Sequence, residues 1–495
     1  MTEKNQINGI TIVGLGPGHL DQITVEALQV LKIAEKVYLR TAQHPAVAEF
    51  PKEIQWESFD DLYDSSDSFE ALYESIINKI LSMGKQPGGV VYAVPGNPGV
   101  AEITGPEIVR RAKQEDIPVR VVAGVSFIEP CLMAVNRDPF DPGLVLVDAL
   151  ALNQNHVVIY PPSMPALIGQ VYSQYVAADL KLILGSVFPD THPVSFIHAA
   201  GTKEEVVENI ALYEIDRSKH IGLLSSLYVP GLPVGSSFED FFEQIAHLRA
   251  PEGCPWDREQ THESLRSTLL EETYEVLSAM DRDDEDDMRE EFGDLLLQVV
   301  LNAQIASETG TFNMTEIIQA IYKKIRFRHP HVFGNEHREN SADVLVSWEA
   351  LKVEERKHKE NGKQNQGRLD SVPIHMPALA LAQSYQSRAA RVGFDWPDIQ
   401  GVMDKIVEES NEVREADSDH LKEELGDLLF AVVNLVRWYD VDAESALRET
   451  NQKFLRRFKY IENKARELKL SLEDMSLEDM DGFWNEAKAL EREDE

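Results

Sequence analysis

Two stretches of the chain carry acids in the same order. Residues 270–300, LEETYEVLSAMDRDDEDDMREEFGDLLLQVV, and residues 407–433, VEESNEVREADSDHLKEELGDLLFAVV, share EE-x-x-E-V, a polar acidic connection and then EE-[FL]-GDLL. In the first copy Glu272 and Glu275 lie three residues apart, hence on one helix face, and Glu291 and Asp294 repeat that spacing on the next helix. The second copy offers Glu409, Glu412, Glu424 and Asp427. An antiparallel hairpin sets each pair of acids opposite the other. Four inward carboxylates repel and raise one another's pKa unless a counter-charge joins them. A divalent cation supplies that charge. Hard oxygen ligands select Mg²⁺ or Mn²⁺ over Zn²⁺, with water and phosphate completing the shell. A lone EE-x-x-E is more often a solvated helix face. Recurrence, and the apolar run following each Asp, favour a metal site and phosphate chemistry.

Basic residues recur in the same order downstream. Lys324 and Arg328 follow the first acidic hairpin, Lys453 and Arg457 the second, each pair at i,i+4 and so on one helix face. Trp348 with Lys352, and Trp484 with Lys488, come later still. Paired cations suit a polyphosphate, and a Trp beside a Lys suits a base or a phosphate.

These residues need long helices to hold them, and the texture of the sequence supplies them. From Phe238 onward β-branched runs give way to 3.6-residue periodicity, which predicts an all-α second half. Before about residue 225 short apolar runs alternate with amphipathic stretches, which is the pattern of an α/β domain. Strands are expected at 10–16, 89–94, 119–124, 157–160 and 181–185, with helices at 23–34 and 103–115. The Pro/Gly/Ser-rich YVPGLPVGSS (228–237) and the polar ENGKQNQGRLDSVP (360–373) read as boundaries.

The whole chain has 495 residues, 85 acidic and 48 basic, for a net charge of −37, and residues 226–495 hold 57 of the acids. That balance argues against a nucleic acid or an anionic membrane as partner. Hydrophobic residues at 43% exclude disorder as its cause. Only Cys131 and Cys254 occur, no basic leader precedes the first apolar run, and no stretch reaches a membrane-spanning length. A cytoplasmic protein is expected.

The segments LRAPEGCPWDREQTHESL (248–265), KIRFRHPHVFG (324–334) and ARVGFDWPD (390–398), with the duplicated acids, resemble the MazG family of nucleoside triphosphate pyrophosphohydrolases over residues 238–495. That resemblance implies an all-α fold working as a homodimer or higher even-numbered oligomer, with the tandem copies able to pair within one chain or between chains. It implies Mg²⁺, or Mn²⁺, on Glu272, Glu275, Glu291, Asp294, Glu409, Glu412, Glu424 and Asp427. It also implies substrate contacts from Lys453, Arg457, Trp484 and Lys488, and hydrolysis of a nucleoside triphosphate to the monophosphate and pyrophosphate in nucleotide-pool house-cleaning. One carboxylate, Glu409 and Glu412 among the candidates, accepts the proton of the attacking water. Relatives with two copies place catalysis in the second.

Three loops of the first half, VGLGPGHLDQITVEAL (13–28), VYAVPGNPGVAE (91–102) and VVAGVSFIEP (121–130), resemble the tetrapyrrole methylase family over residues 8–225. The likeness implies a two-lobed α/β fold binding S-adenosylmethionine through Pro17, Asn97, Val100, Ser126 and Phe127. The chain reads Gly-Asn-Pro where active members often have Gly-Asp-Pro. Without a third glycine at the dinucleotide spacing, NAD is not indicated. The expected architecture is thus a two-lobed α/β methylase-like domain at 1–225, then MazG-type helical domains at 226–365 and 366–495. The competing readings are an S-adenosylmethionine-dependent methyltransferase whose helical half only oligomerises, and a regulatory or interaction protein whose helical pairs only dimerise, against which the intact acids of both copies speak.

Overall fold

The computed structural model describes residues 8–65, 68–334, 351, 367, 369–370 and 372–493. Its contacts group the chain into two compact units, Met1–Gln260 and Thr261–Glu495.

The first unit holds two sheets. Strands β1 (Ile10–Gly14), β2 (Val37–Leu39), β3 (Trp56–Ser58), β4 (Val90–Val94) and β5 (Val119–Val122) form a wholly parallel sheet in the order β3-β2-β4-β1-β5. A parallel sheet is covered on both faces, so its central strands read as continuous apolar runs. Ile10 and Ile12 pack with Ile76, Ile80 and Ile108 on one face, while Val13 and Leu15 pack with Ala27 and Leu31 on the other. The second sheet, β6 (Val145–Asp148), β7 (Ala166–Gly169), β8 (Pro193–His198), β9 (Val206–Ala211) and β10 (Ser225–Val229), is mixed, in the order β6-β7-β10-β8-β9.

Two expected strands are corrected. KLILG (181–185) falls in the last turns of the helix Gln174–Leu184, which Ser173 caps by accepting from the Val176 N–H. Leu180, Ile183 and Leu184 are buried at helical spacing, and a short apolar run does not reveal that period by itself. VVIY (157–160) is irregular, with Val157 and Ile159 largely exposed, and the strand of that region is instead ALIG at 166–169. The helices expected at 23–34 and 103–115 are present as Val25–Ile33 and Thr104–Gln114.

The second unit is helical. Copy one contains α1 (Arg266–Asp281), α2 (Glu285–Glu308) and α3 (Met314–Arg328). Copy two contains α4 (Ala378–Ala390), α5 (Ile399–Glu415), α6 (Leu421–Trp438), α7 (Ala443–Leu468) and α8 (Leu477–Glu493). Asp284, Asn313, Asp398 and Asp442 cap α2, α3, α5 and α7 by accepting from N–H groups of the first turn. The α1–α2 connection turns at Asp283, whose φ is +53°, and Arg282 pairs with Asp287 at 2.5 Å across it. Between the copies, Arg448 on α7 pairs with Asp281 at the end of α1 at 2.7 Å. Among the described residues no helix is long and apolar enough to cross a membrane.

Candidate functional site

The repeated acids meet as helical spacing predicts. In copy one the hairpin α1–α2 brings carboxylate oxygens of Glu272, Glu275 and Glu291 within 4.8 Å of one another. In copy two α5–α6 does the same for Glu409, Glu412 and Glu424. Asp294 and Asp427 stand outside these triplets. Asp294 is near enough for its charge to act on Glu272 and Glu291. Asp427, one turn beyond Glu424, lines a cavity with Glu409.

Electrostatics express the crowding. Loss of solvent, then the Asp294 and Glu275 charges, hold Glu272 above the usual carboxylate range. Glu291 is raised by desolvation and then by Glu275 and Asp294. Desolvation followed by Glu409 and Glu424 raises Glu412. The raised proton affinity expresses a mutual repulsion that a cation would offset. The donors are all carboxylate oxygens, the set that suits a hard divalent ion. Glu409 is buried, and its Oε2 has no hydrogen-bond partner. An acceptor left unsatisfied in such a place fits a ligand position.

The copies differ at this point. Lys405, one turn before Glu409, lies 2.7 Å from its Oε1 and 3.0 Å from Glu408. Its bond to Glu409 keeps the ammonium above its ordinary range. The corresponding position of copy one is Thr268. Sequence reasoning missed Lys405, although an i−4 lysine before a recurrent glutamate was a readable signal.

Beside Glu409, Lys405 and Asp427 opens a cavity of about 560 Å³, walled by α4, the loop after it, α5 and α6. Tyr385, Phe394, Trp396 and Phe430 give it aromatic walls. Arg437 crosses one side, donating to both Asp395 oxygens at 2.8 Å and to Asn434 Oδ1 at 2.9 Å. Trp396 rests against the first turn of α5, where a Cβ on Gly401 would lie 2.2 Å from its Cδ1. Only a glycine accommodates that ring.

The expected substrate cations lie elsewhere. Lys453, Arg457 and Lys488, joined by Arg456 and Arg492, line a separate cleft of about 630 Å³ between α7 and α8. Arg457 is held at 2.6 Å by Glu491 and stacks over Trp484 at 5.3 Å. No carboxylate of the triplets lines this cleft. In copy one Lys324 and Arg328 are half-buried on α3, whereas Trp348 and Lys352 lie outside the described residues, as does most of the 360–373 boundary.

In the first unit, the three glycine-bearing loops leave the carboxyl ends of β1, β4 and β5 and converge, the usual ligand position of an open parallel sheet. A Cβ on Gly14 would lie 2.5 Å from the Gly124 nitrogen, and one on Gly124 2.2 Å from the Gly96 oxygen. Gly16 and Gly96 exchange backbone bonds of 3.2 and 2.8 Å. Asn97 donates to the Gly124 carbonyl at 2.8 Å and accepts from the Gly99 N–H at 2.9 Å. A carboxylate at this position could not make the first bond. Val100 donates its N–H to the Asn97 carbonyl at 3.0 Å, and Pro17 and Ser126 are buried. Ser126 donates to Glu129, and the Phe127 ring packs against β7 at Gly169. His44, missed in the sequence, joins this loop set through Gly16 O at 2.9 Å. Burial, outweighing its bond to Gly16, lowers its pKa to about 4, so it is neutral at pH 7.

Comparison with known proteins accords with both halves. The MazG nucleotide pyrophosphohydrolase domain matches residues 260–333 and 398–461, and the Tetrapyrrole (Corrin/Porphyrin) Methylases match residues 9–216. The protein YabN of Bacillus subtilis (strain 168) is 42% identical over 493 residues, covering 98% of this chain and 99% of YabN. The nucleoside triphosphate pyrophosphohydrolase/pyrophosphatase MazG of Thermotoga maritima is 45% identical over 51% of this chain and 96% of its own length. The nucleoside triphosphate pyrophosphohydrolase of Escherichia coli (strain K12) is 47% identical over 50% of this chain and 95% of its own length.

Proposed function

The chain belongs to the MazG family, in the form that carries an N-terminal tetrapyrrole methylase domain, and from that premise we propose that it hydrolyses nucleoside triphosphates to monophosphate and pyrophosphate with Mg²⁺ or Mn²⁺. The observation that carries this reading is the meeting of Glu409, Glu412 and Glu424, with the Oε2 of Glu409 buried and unpartnered. Glu409, Glu412, Glu424 and Asp427 are assigned to the ion in copy two, and Glu272, Glu275, Glu291 and Asp294 to its counterpart in copy one. Bound there, a divalent cation supplies charge neutralisation for the triphosphate and a more acidic water. A carboxylate of the cluster left uncoordinated by the ion would accept the water's proton as it attacks the α-phosphorus. Lys405 orients Glu409 through their ion pair. Lys453, Arg457, Trp484 and Lys488 are assigned to the substrate, where cations offset charge on the departing pyrophosphate.

The carboxylates and the cations line different cavities, which supports a site shared between two chains of a homodimer. The exposed apolar stripes of the hairpins support the same reading. Phe292, Leu296 and Val299 on α2, and Leu425, Leu429 and Val432 on α6, occupy equivalent repeat positions and are all at least 38% exposed.

Pyrophosphate release measured across a panel of NTPs and dNTPs under Mg²⁺ titration tests the activity. Metal-dependent release that Glu412→Ala abolishes is expected. Absence of release, or release indifferent to Glu412→Ala, overturns the reading. Retention of the rate in Glu275→Ala would place turnover in copy two.

A second activity has its own support in the convergent loops at Gly14, Gly96 and Gly124. They are assigned to S-adenosylmethionine, held near Pro17, Asn97, Val100, Ser126 and Phe127. Calorimetry of the full chain with S-adenosylmethionine is expected to give saturable heat, and its absence would remove this assignment.

A further inference from the structure

Resting on the hydrolytic reading, we propose that Glu491 is a displaceable counter-ion of the cationic cleft between α7 and α8. Its carboxylate keeps the place of a phosphate group in the free protein, yields it to the substrate, and returns to Arg457 as pyrophosphate leaves.

The charges of the cleft are lopsided. Lys453, Arg456, Arg457, Lys488 and Arg492 line it, and Glu491 is the one acid among its described lining residues. That acid stands between two guanidinium groups. Arg457 donates to Glu491 Oε2 from Nε at 2.9 Å and from a terminal nitrogen at 2.6 Å, and Arg456 Nε lies 3.7 Å from Oε1. Guanidinium groups grip carboxylates and phosphates through the same donors, so the two anions compete for one place. The bond from Arg457, outweighing desolvation and joined by the charges of Arg457, Arg456 and Lys453, holds the Glu491 carboxyl below the usual glutamate range.

Its own helix does not explain this residue. Glu491 lies in the last turn of α8, where the helix dipole disfavours a negative charge. Arg457 does explain it: the side chain is 15% exposed, and a cation so enclosed needs an anionic partner when no phosphate is present. The partner can leave without disturbing it. The Arg457 guanidinium also rests over the Trp484 ring, which packs on Phe454 with centroids 5.3 Å apart. Arg457 thus stays oriented while one anion replaces another. An internal anion that must first be displaced weakens the binding of substrate and pyrophosphate alike.

Inorganic pyrophosphate titrated calorimetrically into the full chain in EDTA reads this cleft without the metal. Glu491→Gln keeps the shape and an amide oxygen for Arg457 but removes the charge. Its affinity for pyrophosphate is expected to rise about tenfold, the scale of one unit charge acting across a half-exposed cleft. KM for the best triphosphate of the panel, and the inhibition constant of pyrophosphate, should fall by a similar factor while kcat does not rise. Glu491→Asp, which keeps the charge, should stay near wild type. Unchanged or weaker pyrophosphate binding in Glu491→Gln, the result if Glu491 merely holds Arg457 in place, overturns the proposal. An equal gain in Glu491→Asp overturns it too. If no triphosphate is hydrolysed, the hydrolytic reading fails on its own, and the calorimetric comparison still decides the role of Glu491.

Discussion

Glu412 shows how one carboxyl links proton, metal and fold. Desolvation and the charges of Glu409 and Glu424 raise its pKa in the folded chain, so the native state binds a proton more readily than the unfolded one. The contribution of this one group to the stability of the metal-free protein therefore rises as pH falls through that raised value, and is complete below the unfolded glutamate value of about 4.3. The proposed metal binding would have the opposite dependence, because an ion would displace the proton and its affinity would fall on acidification. Glu412→Gln removes the repulsion permanently. Its Tm in EDTA is expected to exceed that of the wild type, with the Mg²⁺-dependent increase in Tm reduced or lost. A lower metal-free Tm, with an intact Mg²⁺ response, would show that Glu412 neither crowds its neighbours nor holds the ion.

Elements explain what could be read from sequence and what could not. The paired acids were legible because i,i+3 spacing on a helix is local, and a three-residue connection leaves α1 and α2 little choice but to pair. Strand positions were less secure: KLILG carries the apolar content of a strand, yet the period that buries Leu180, Ile183 and Leu184 appears only over the full Gln174–Leu184 helix. The cavity was not legible, since Gln386, Trp396 and Asp427 come from α4, a loop and α6 and meet only in the tertiary fold. ARVGFDWPD marked the family without revealing a role for its tryptophan. Gly401 supplies one. Alanine is favoured over glycine inside a helix by about 1 kcal/mol, so Gly401→Ala should leave α5 as helical as before. Its methyl group nevertheless occupies the place of the Trp396 indole. Unchanged far-UV circular dichroism, altered tryptophan fluorescence and a several-fold rise in KM are expected. An unchanged KM would separate Trp396 from substrate binding.

At the scale of the molecule, a net charge of −37 repels a triphosphate, so cations must act locally where the substrate reacts. The described chain places its Lys453–Arg457–Lys488 cleft apart from the Glu409–Glu412–Glu424 cluster. A second copy resolves that separation if each site takes carboxylates from one chain and cations from the other. The apolar stripes repeated on α2 and α6 give such a dimer a surface to bury. Two-fold symmetry then fixes a quantitative expectation. Glu412→Gln and Lys453→Ala should each be inactive alone. After equal amounts are mixed and allowed to exchange, half the dimers are mixed, and one of their two sites has both native halves. About a quarter of wild-type activity should return. Leu429→Glu, which puts a charge into the exposed stripe, should lower the mass seen by light scattering and prevent that recovery. Sites completed within one chain would give no recovery in any mixture, and Leu429→Glu would then cost mass without costing activity.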